Sequence, residues 1–306
     1  GTAWAAMTSP TTETLRAVWG TSVSNIYAVG DNGTVIRFDG TSWAIIPWID
    51  SESLLGVWGT GTTDVVVVGG SGTVSRWNGT VWTPEAIALG ASLWGVTGSS
   101  TADVTVVGIG TGGRVRRWNG TAWTTLTPPN REPLFGATTI GGVTYIAGNN
   151  TVYALQGSTF TTLAYTPDLN GVAAADGATA FAFGNGGTVY RYSAGTWGLV
   201  AAPTSDNLLA GWAGSASAAI AVGSTETGGA TALQYNGTSW TTMTMPAFAE
   251  GLISAWGSSA TDVFAGGYAG SIVRWDGATW TKLASPASDR LEAIWGSGPT
   301  DVFAVG

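Results

Sequence analysis

Apolar residues in this chain come in short runs separated by small and polar ones, and the runs recur in a set order. One copy reads Leu54-Leu-Gly-Val-Trp-Gly59, Asp64-Val-Val-Val-Val-Gly69, Gly72-Thr-Val-Ser-Arg-Trp-Asn-Gly79 and Thr80-Val-Trp82. Such runs are rich in Val, Ile, Thr, Trp and Tyr, lack a 3.6-residue period and are bounded by Gly, Asn, Asp or Ser; they predict β-strands and essentially no helix. The first run opens at Leu15, Leu54, Leu93, Leu134, Leu169, Leu208, Leu252 and Leu291, at spacings of 39, 39, 41, 35, 39, 44 and 39 residues. Four short strands in a repeat of roughly 40 residues are the signature of a propeller blade.

The predicted fold is therefore all-β, a single β-propeller domain over residues 1–306 built of four-stranded antiparallel blades. Seven complete repeats lie between Leu15 and Arg290. Gly1 to Trp4 supplies a further fourth strand, and Leu291 to Gly306 a further first and second. Joining them as 291–306 plus 1–14 predicts eight blades, the closing one lacking its third strand and formed by both termini; seven blades is the alternative count. Ring closure protects edges that would otherwise pair with other chains. A chain that starts and stops inside a repeat also reads as a piece of a longer one.

The punctuation has local causes. Asp39-Gly40, Asn78-Gly79, Asn119-Gly120, Asn236-Gly237 and Asp276-Gly277 separate third from fourth strands and predict type I′ hairpin turns. The second strand ends on Gly in every copy, from Gly30 to Gly306, which suits either a turn conformation or close packing. Aromatic residues form three series. Trp4, Trp43, Trp82, Trp123, Phe160, Trp197, Trp240 and Trp280 stand at one position of the fourth strand. Trp19, Trp58, Trp212, Trp256 and Trp295 end the first strand, where Thr97, Thr138 and Ala173 replace them in three copies. The third strand carries Phe38, Trp77, Trp118, Leu155, Tyr192, Tyr235 and Trp275. The economical expectation is that these rings plug the wedges between blades, each burying roughly 150–250 Å².

Composition narrows the chemistry. Charged residues make up 10% of the chain, with Lys282 the single lysine, against roughly 25% in ordinary globular domains. The surface is predicted to be hydroxyl-rich and nearly neutral, and the net charge of −8 argues against nucleic acid and anionic membranes as partners. No apolar stretch approaches the roughly 18 residues of a membrane span, and no leader pattern is present, so the mature chain is expected to be soluble or to have lost its leader. Cysteine is absent, which removes disulfides and thiolate metal sites. Ten acidic residues, Glu52, Glu132 and Asp206 among them, fall in the connections from one blade's fourth strand to the next blade's first. These connections share one face of a propeller and predict a solvated acidic rim, or a face for a cation or basic partner. Asp64, Asp103, Asp262 and Asp301 open second strands, where a carboxylate is expected to accept backbone N–H bonds from the adjacent turn.

The chain contains no His, which eliminates His-dependent nucleophilic and acid–base catalysis and His-ligated metals. A glycosidase needs only two carboxylates about 5–10 Å apart, but no pair stands out from the repeat background. No cofactor or metal is expected: Asp31-Asn32-Gly33 lacks the rest of a calcium loop. Of the five sequons, those at Asn32, Asn78, Asn119 and Asn236 simply spell an Asn-Gly turn followed by Thr, and Asn149 completes the set.

The hairpin Arg274-Trp-Asp-Gly-Ala-Thr-Trp280, with copies at 37–43 and 117–123, resembles a shortened Asp-box hairpin of sialidase-type repeats. The catalytic set of that family does not carry over, because Arg37, Arg76, Arg117, Arg191 and Arg274 share one repeat position and are spread around the ring. The longer pattern Trp256-Gly-Ser-Ser-Ala-Thr-Asp-Val-Phe-Ala265, followed by Gly270-Ser-Ile-Val-Arg-Trp-Asp-Gly277, resembles the Trp-rich propeller repeats of bacterial surface or secreted proteins, particularly those of myxobacteria. It is also similar to tectonin-like and Photorhabdus-type lectin propellers. That resemblance implies a secreted or cell-surface protein with shallow sugar sites between blades. Aromatic faces would stack on sugar rings and neighbouring Asn, Asp and backbone groups would bond hydroxyls.

The leading expectation is thus a noncatalytic, lectin-like module that binds glycans through Trp43, Trp82, Trp123, Trp240 and Trp280 with the turn residues Asp39, Asn78, Asn119, Asn236 and Asp276. Weak repeated sites would add by avidity. The alternative is a protein-interaction scaffold using the acidic loop face, and the third reading is an enzyme such as a glycosidase with a carboxylate pair.

Overall fold

The structure, a computed structural model, describes residues 4–306 apart from 49, 86, 88, 89, 111–113, 163–166 and 248. The first repeat folds as strands Leu15–Ser22, Asn25–Gly30, Val35–Phe38 and Trp43–Ile45, each hydrogen-bonded antiparallel to the next. Among the described residues six more sheets with the same order open at Leu54, Leu93, Leu134, Leu169, Asn207 and Leu252. The fold is a β-propeller of four-stranded antiparallel blades, and the complete blades number seven, the alternative of the two expected counts. Among the described residues no eighth four-stranded blade is formed. Between blade seven and blade one stands a two-stranded hairpin, Ala293–Gly298 with Asp301–Val305. Its first strand lies against Leu252–Ser259 on one side and Leu15–Ser22 on the other. Trp4 to Glu13, where the closing fourth strand was expected, carries no strand, and residues 1–3 lie outside the described part.

First strands contact first strands all round the ring and so line its axis. The core is not inside any blade but between neighbours. Tyr27, Val29 and Val35 of blade one, for example, cluster with Leu54, Val65, Val67 and Trp82 of blade two. Second strands are covered on both faces, which is why Asp64-Val-Val-Val-Val-Gly69 is a continuous apolar run rather than an alternating one.

The structure decides why second strands end on Gly. Gly30, Gly69, Gly184 and Gly267 have φ of −168°, −169°, −151° and −173°, extended backbone open to any residue, so conformation is not the reason. A Cβ at any of the eight positions would overlap the carbonyl oxygen of the residue just before the leucine that opens the first run of the same repeat, such as Thr14 at Gly30 and Arg290 at Gly306. Close approach of two backbones is the cause.

A second close approach links the blades. The ring of Trp19 lies where a Cβ on Gly59 would be, at 2.9 Å; Trp58 stands likewise at 2.6 Å from Gly98, Trp212 at 3.0 Å from Gly257, Trp256 at 2.8 Å from Gly296 and Trp295 at 2.8 Å from Gly20. Each tryptophan of the first-strand series thus covers the glycine of the next blade's first strand. Where the series lapses at Thr97, Thr138 and Ala173, the receiving position of the following blade is Thr139, Ala174 or Ala213 instead of Gly. The last pair, Trp295 on Gly20, joins the hairpin to blade one and closes the ring.

Candidate binding site

The fourth-strand rings sit in the wedges between blades. Trp82 is 7% exposed, Trp240 4% and Trp280 5%. Trp240 packs against Tyr235 of its own blade at 5.2 Å and against Phe181 and Phe183 of the preceding one at 5.5 and 6.0 Å. Trp82 meets Trp77 at 5.3 Å and Trp48 at 5.2 Å. The Trp280 ring stands 5.9 Å from Trp275, and its indole N–H donates to Met243 Sδ at 3.3 Å. Trp123 is half-buried against Trp118 at 5.7 Å and donates to Glu85 Oε2 at 3.0 Å. Trp43 is half-buried between Phe38 at 5.4 Å and Phe303 of the hairpin at 6.3 Å. Such edge and tilted contacts are the preferred aromatic geometries.

The five turn residues are equally occupied. Asn78 Oδ1 accepts from the backbone N–H of Thr80 and Val81, both at 2.9 Å, and from the Thr80 hydroxyl at 2.8 Å. Asn119 and Asn236 repeat the pattern, and Asp39 and Asp276 accept the same two backbone bonds. Those bonds hold both carboxyls below the usual carboxylate range. The turn differs from the expected type I′. Phe38 pairs with Trp43 across a four-residue loop, and positive φ falls on Gly40 (98°) but not on Asp39. An Asx-capped loop needs one left-handed residue rather than two.

The acids opening second strands also have other partners than expected. Asp64 binds Arg76 at 2.6 Å, Asp103 binds Arg117 at 2.7 Å and Asp262 binds Arg274 at 2.8 Å, each Arg coming from the third strand of the same blade. The other carboxylate oxygen accepts a hydroxyl four residues upstream, Thr60, Ser99 or Ser258. Side chains on the two adjacent strands replace the backbone donors foreseen. Burial pushes the Asp103 carboxyl up, but the Arg117 and Ser99 hydrogen bonds more than offset it and leave it lowered. The arginines of that repeat position are spread round the ring, on blades one, two, three, five and seven; the Arg274 and Arg76 guanidinium groups lie 5.1 and 5.4 Å from the ring centres of Phe264 and Trp118.

Part of the acidic rim is engaged within the protein. Glu13 accepts from Asn32 Nδ2 at 2.9 Å, Glu52 from Ser71 Oγ at 3.0 Å, and Glu292 bridges Arg16 at 3.0 Å and Arg290 at 2.9 Å. Arg16 also clamps Asp31 at 2.7 Å, and that hydrogen bond holds the Asp31 carboxyl low. A cavity of about 280 Å³ between blades one and two is lined by Trp48, Asp50, Glu52 and Glu85. Among the described residues no three carboxylates gather where a metal ion could sit, and no helix is long and apolar enough to cross a membrane.

The larger concavity lies beside the hairpin. Its volume is about 590 Å³, with Ile272 and Phe264 of blade seven on one wall and Ile36 and Trp43 of blade one on the other. Phe303 and the rest of residues 302–306 line it, Trp4 and Met7 cross it, and Glu13 and Asp289 stand at its rim. Met7 is 44% exposed, and Trp4 meets Phe264 at 6.2 Å. Of the ten residues expected to bind ligand, Trp43 alone lines this cleft. Phe303 was missed because its run, Asp301-Val-Phe-Ala304, repeats Asp262-Val-Phe-Ala265 letter for letter and reads as ordinary blade.

The chain shares this architecture with solved propellers. YCF48 bound to D1 peptide is similar with a TM-score of 0.68 at 15% identity, over 97% of this chain and 90% of that one. The computationally designed Ika8 protein aligns with a TM-score of 0.79 at 13% identity, over 97% and 94%. The WD40 β-propeller domain of Doa1 aligns with a TM-score of 0.65 at 10% identity, over 96% and 90%. At these identities the likeness is one of fold. No family model and no curated protein matches the chain, so the resemblance to Asp-box, tectonin-like and Trp-rich bacterial repeats extends to the propeller architecture.

Proposed function

We propose that this propeller is a noncatalytic scaffold that binds a segment of a protein partner in the cleft between its seventh and first blades. The observation that carries the proposal is that cleft: about 590 Å³, walled by apolar and aromatic side chains, with carboxylates at the rim. Its size and lining are those of a site that anchors a few side chains while polar groups fix orientation. A solved propeller of similar fold is described as bound to a peptide, which favours a peptide-like occupant here. The glycan reading needs open aromatic faces, and Trp82, Trp240 and Trp280 spend theirs on neighbouring blades.

The test is to pan the purified protein against a random peptide library and to titrate enriched peptides against wild type and the Trp43→Ala and Phe303→Ala variants. Micromolar binding that weakens at least about tenfold in both variants is expected. Failure to enrich peptides, enrichment indifferent to both variants, or response to a glycan array alone would overturn the proposal.

A further inference from the structure

The cavity of about 280 Å³ between blades one and two shares no lining residue with the cleft. Its wall includes Trp48, Asp50, Glu52, Ser75, Pro84 and Glu85. Ser75 is the unusual member. At its register on the third strand, two residues before the one that faces the fourth-strand aromatic, the other blades carry Ile36, Arg116, Tyr153, Tyr190, Leu233 and Val273. Blade two alone has a small side chain here, opposite Pro84, and a small side chain in a close-packed wedge leaves space unfilled. The serine is 1% exposed, and its Oγ has no hydrogen-bond partner among the described residues. Trp48, which follows blade one's fourth strand, brings to the same cavity a buried indole N–H that also has no partner among them. Buried polar groups left unpaired are costly, and two that line one cavity point to a ligand.

The charge of the lining is one-sided. Asp50, Glu52 and Glu85 contribute to it, and no Lys or Arg does. Glu85 is committed elsewhere: Oε2 accepts from the Trp123 indole at 3.0 Å, and Oε1 lies 3.5 Å from Nε of Arg76, whose guanidinium is shared with Asp64 at 2.6 Å. Asp50 and Glu52 each give one oxygen to a local bond, from the Glu52 backbone N–H and the Ser71 hydroxyl, both at 3.0 Å, and keep the other for a ligand.

We infer that this cavity binds a guanidinium group, carried either by an arginine residue or by a free arginine-like cation. Oxygens of Asp50 and Glu52 and the Ser75 hydroxyl accept its N–H bonds, and the Trp48 N–H donates to an acceptor oxygen of the same ligand. A guanidinium offers five N–H donors in a fixed plane, stacks on aromatic walls and is more weakly hydrated than an ammonium. It therefore meets separated acceptors in a sheltered site better than a point charge does. A metal ion is the poorer fit, since among the described residues no three carboxylates are placed to share one. The volume, about 280 Å³, is below the roughly 300–1,000 Å³ of drug-sized sites and suits one side chain. The inference does not rest on the peptide cleft, and the two stand or fall separately.

N-acetyl-L-arginine amide is the probe, and its citrulline analogue, which keeps the shape and loses the charge, is the control. Binding is followed through the indole N–H resonance of Trp48 in proton–nitrogen correlation spectra, assigned by its loss in Trp48→Phe. Affinities are titrated on wild type, Ser75→Val and Glu52→Gln. Ser75→Val inserts the residue that blade seven carries at this register, so the protein should keep its melting temperature while the cavity fills; Glu52→Gln keeps the bond from Ser71 and removes the charge. Millimolar binding to wild type is expected, weakened at least about tenfold by either substitution and by the exchange of arginine for citrulline. No movement of the Trp48 resonance up to about 30 mM probe, equal binding of the citrulline analogue, or an affinity unchanged in either variant would overturn it. Free L-arginine identifies the source. Tighter binding of the acetyl amide assigns the site to arginine within a polypeptide, and the reverse order assigns it to the free cation; either order supports the guanidinium site.

Discussion

The pairing of Trp256 with Gly296 makes the sharpest demand on the structure. Gly296→Ala places a Cβ 2.8 Å from two ring carbons of Trp256 and 3.0 Å from the Asp301 carbonyl oxygen. Overpacking of this kind costs about 1–3 kcal/mol. At about 2.1 cal/mol/K per residue, 306 residues have an unfolding entropy of roughly 0.64 kcal/mol/K, so the melting temperature should fall by about 1.5–5 °C. Trp256→Thr, which introduces the residue that blade three carries at the same place, removes the ring and leaves the 3.0 Å contact with the Asp301 carbonyl oxygen. In that background Gly296→Ala should cost less than about 1 kcal/mol, a coupling within the roughly 0.5–3 kcal/mol found for residues in contact. Scanning calorimetry on the four proteins at one heating rate measures it. Equal losses in both backgrounds would show that the ring does not dictate the glycine, and that the matched lapses at Thr97 and Thr139, Thr138 and Ala174, and Ala173 and Ala213 have another cause.

Three further outcomes are expected. Gly148→Ala, whose Cβ would overlap the Pro133 carbonyl oxygen, should destabilise more than Gly198→Ala, where no atom stands within 4 Å; comparing their thermal midpoints tests backbone approach as the reason for the second-strand glycines. Asp31, Asp39, Asp103 and Asp276 are held below their ordinary pKa, so their contribution is complete above about pH 5 and is lost as pH falls through about 3.9 towards the lower folded values. Asp39→Asn and Asp276→Asn should flatten that acid limb while keeping the turn, since Asn makes the same bonds at 78, 119 and 236; an acid midpoint unchanged in the double variant would refute it. Tyr27, Tyr145 and Tyr153 are pushed up by burial, so stability is complete below about pH 10 and declines above it. Tyrosinate absorbance at high pH should then include a component that appears together with loss of near-ultraviolet dichroism, rather than before it.

Much of the architecture was legible because its causes are local. A strand's residue preferences, the glycine after Asn78 and the run of small apolar residues in Asp64–Gly69 act within a few residues of one another and repeat about every 40, so period and composition sufficed for four-stranded blades. The third-strand arginines Arg37, Arg76, Arg117, Arg191 and Arg274 were visible as one repeat position, but their partners were not. Arg76 reaches Asp64 across a strand pair, and the sequence offers backbone donors just as close.

What the sequence by itself determined is the blade and its repetition around a ring. Tertiary structure alone decided what lies between blades and where the ring is incomplete. An aromatic at Trp240 reads the same whether its face is open or pressed on Phe181, because the partner lies nearly 60 residues earlier and meets it only once two sheets are stacked. The same holds for Asp262–Ala265 and Asp301–Ala304, identical in letters. One is buried beneath a third strand and the other borders a cleft, since burial depends on which neighbour arrives and not on the run being covered.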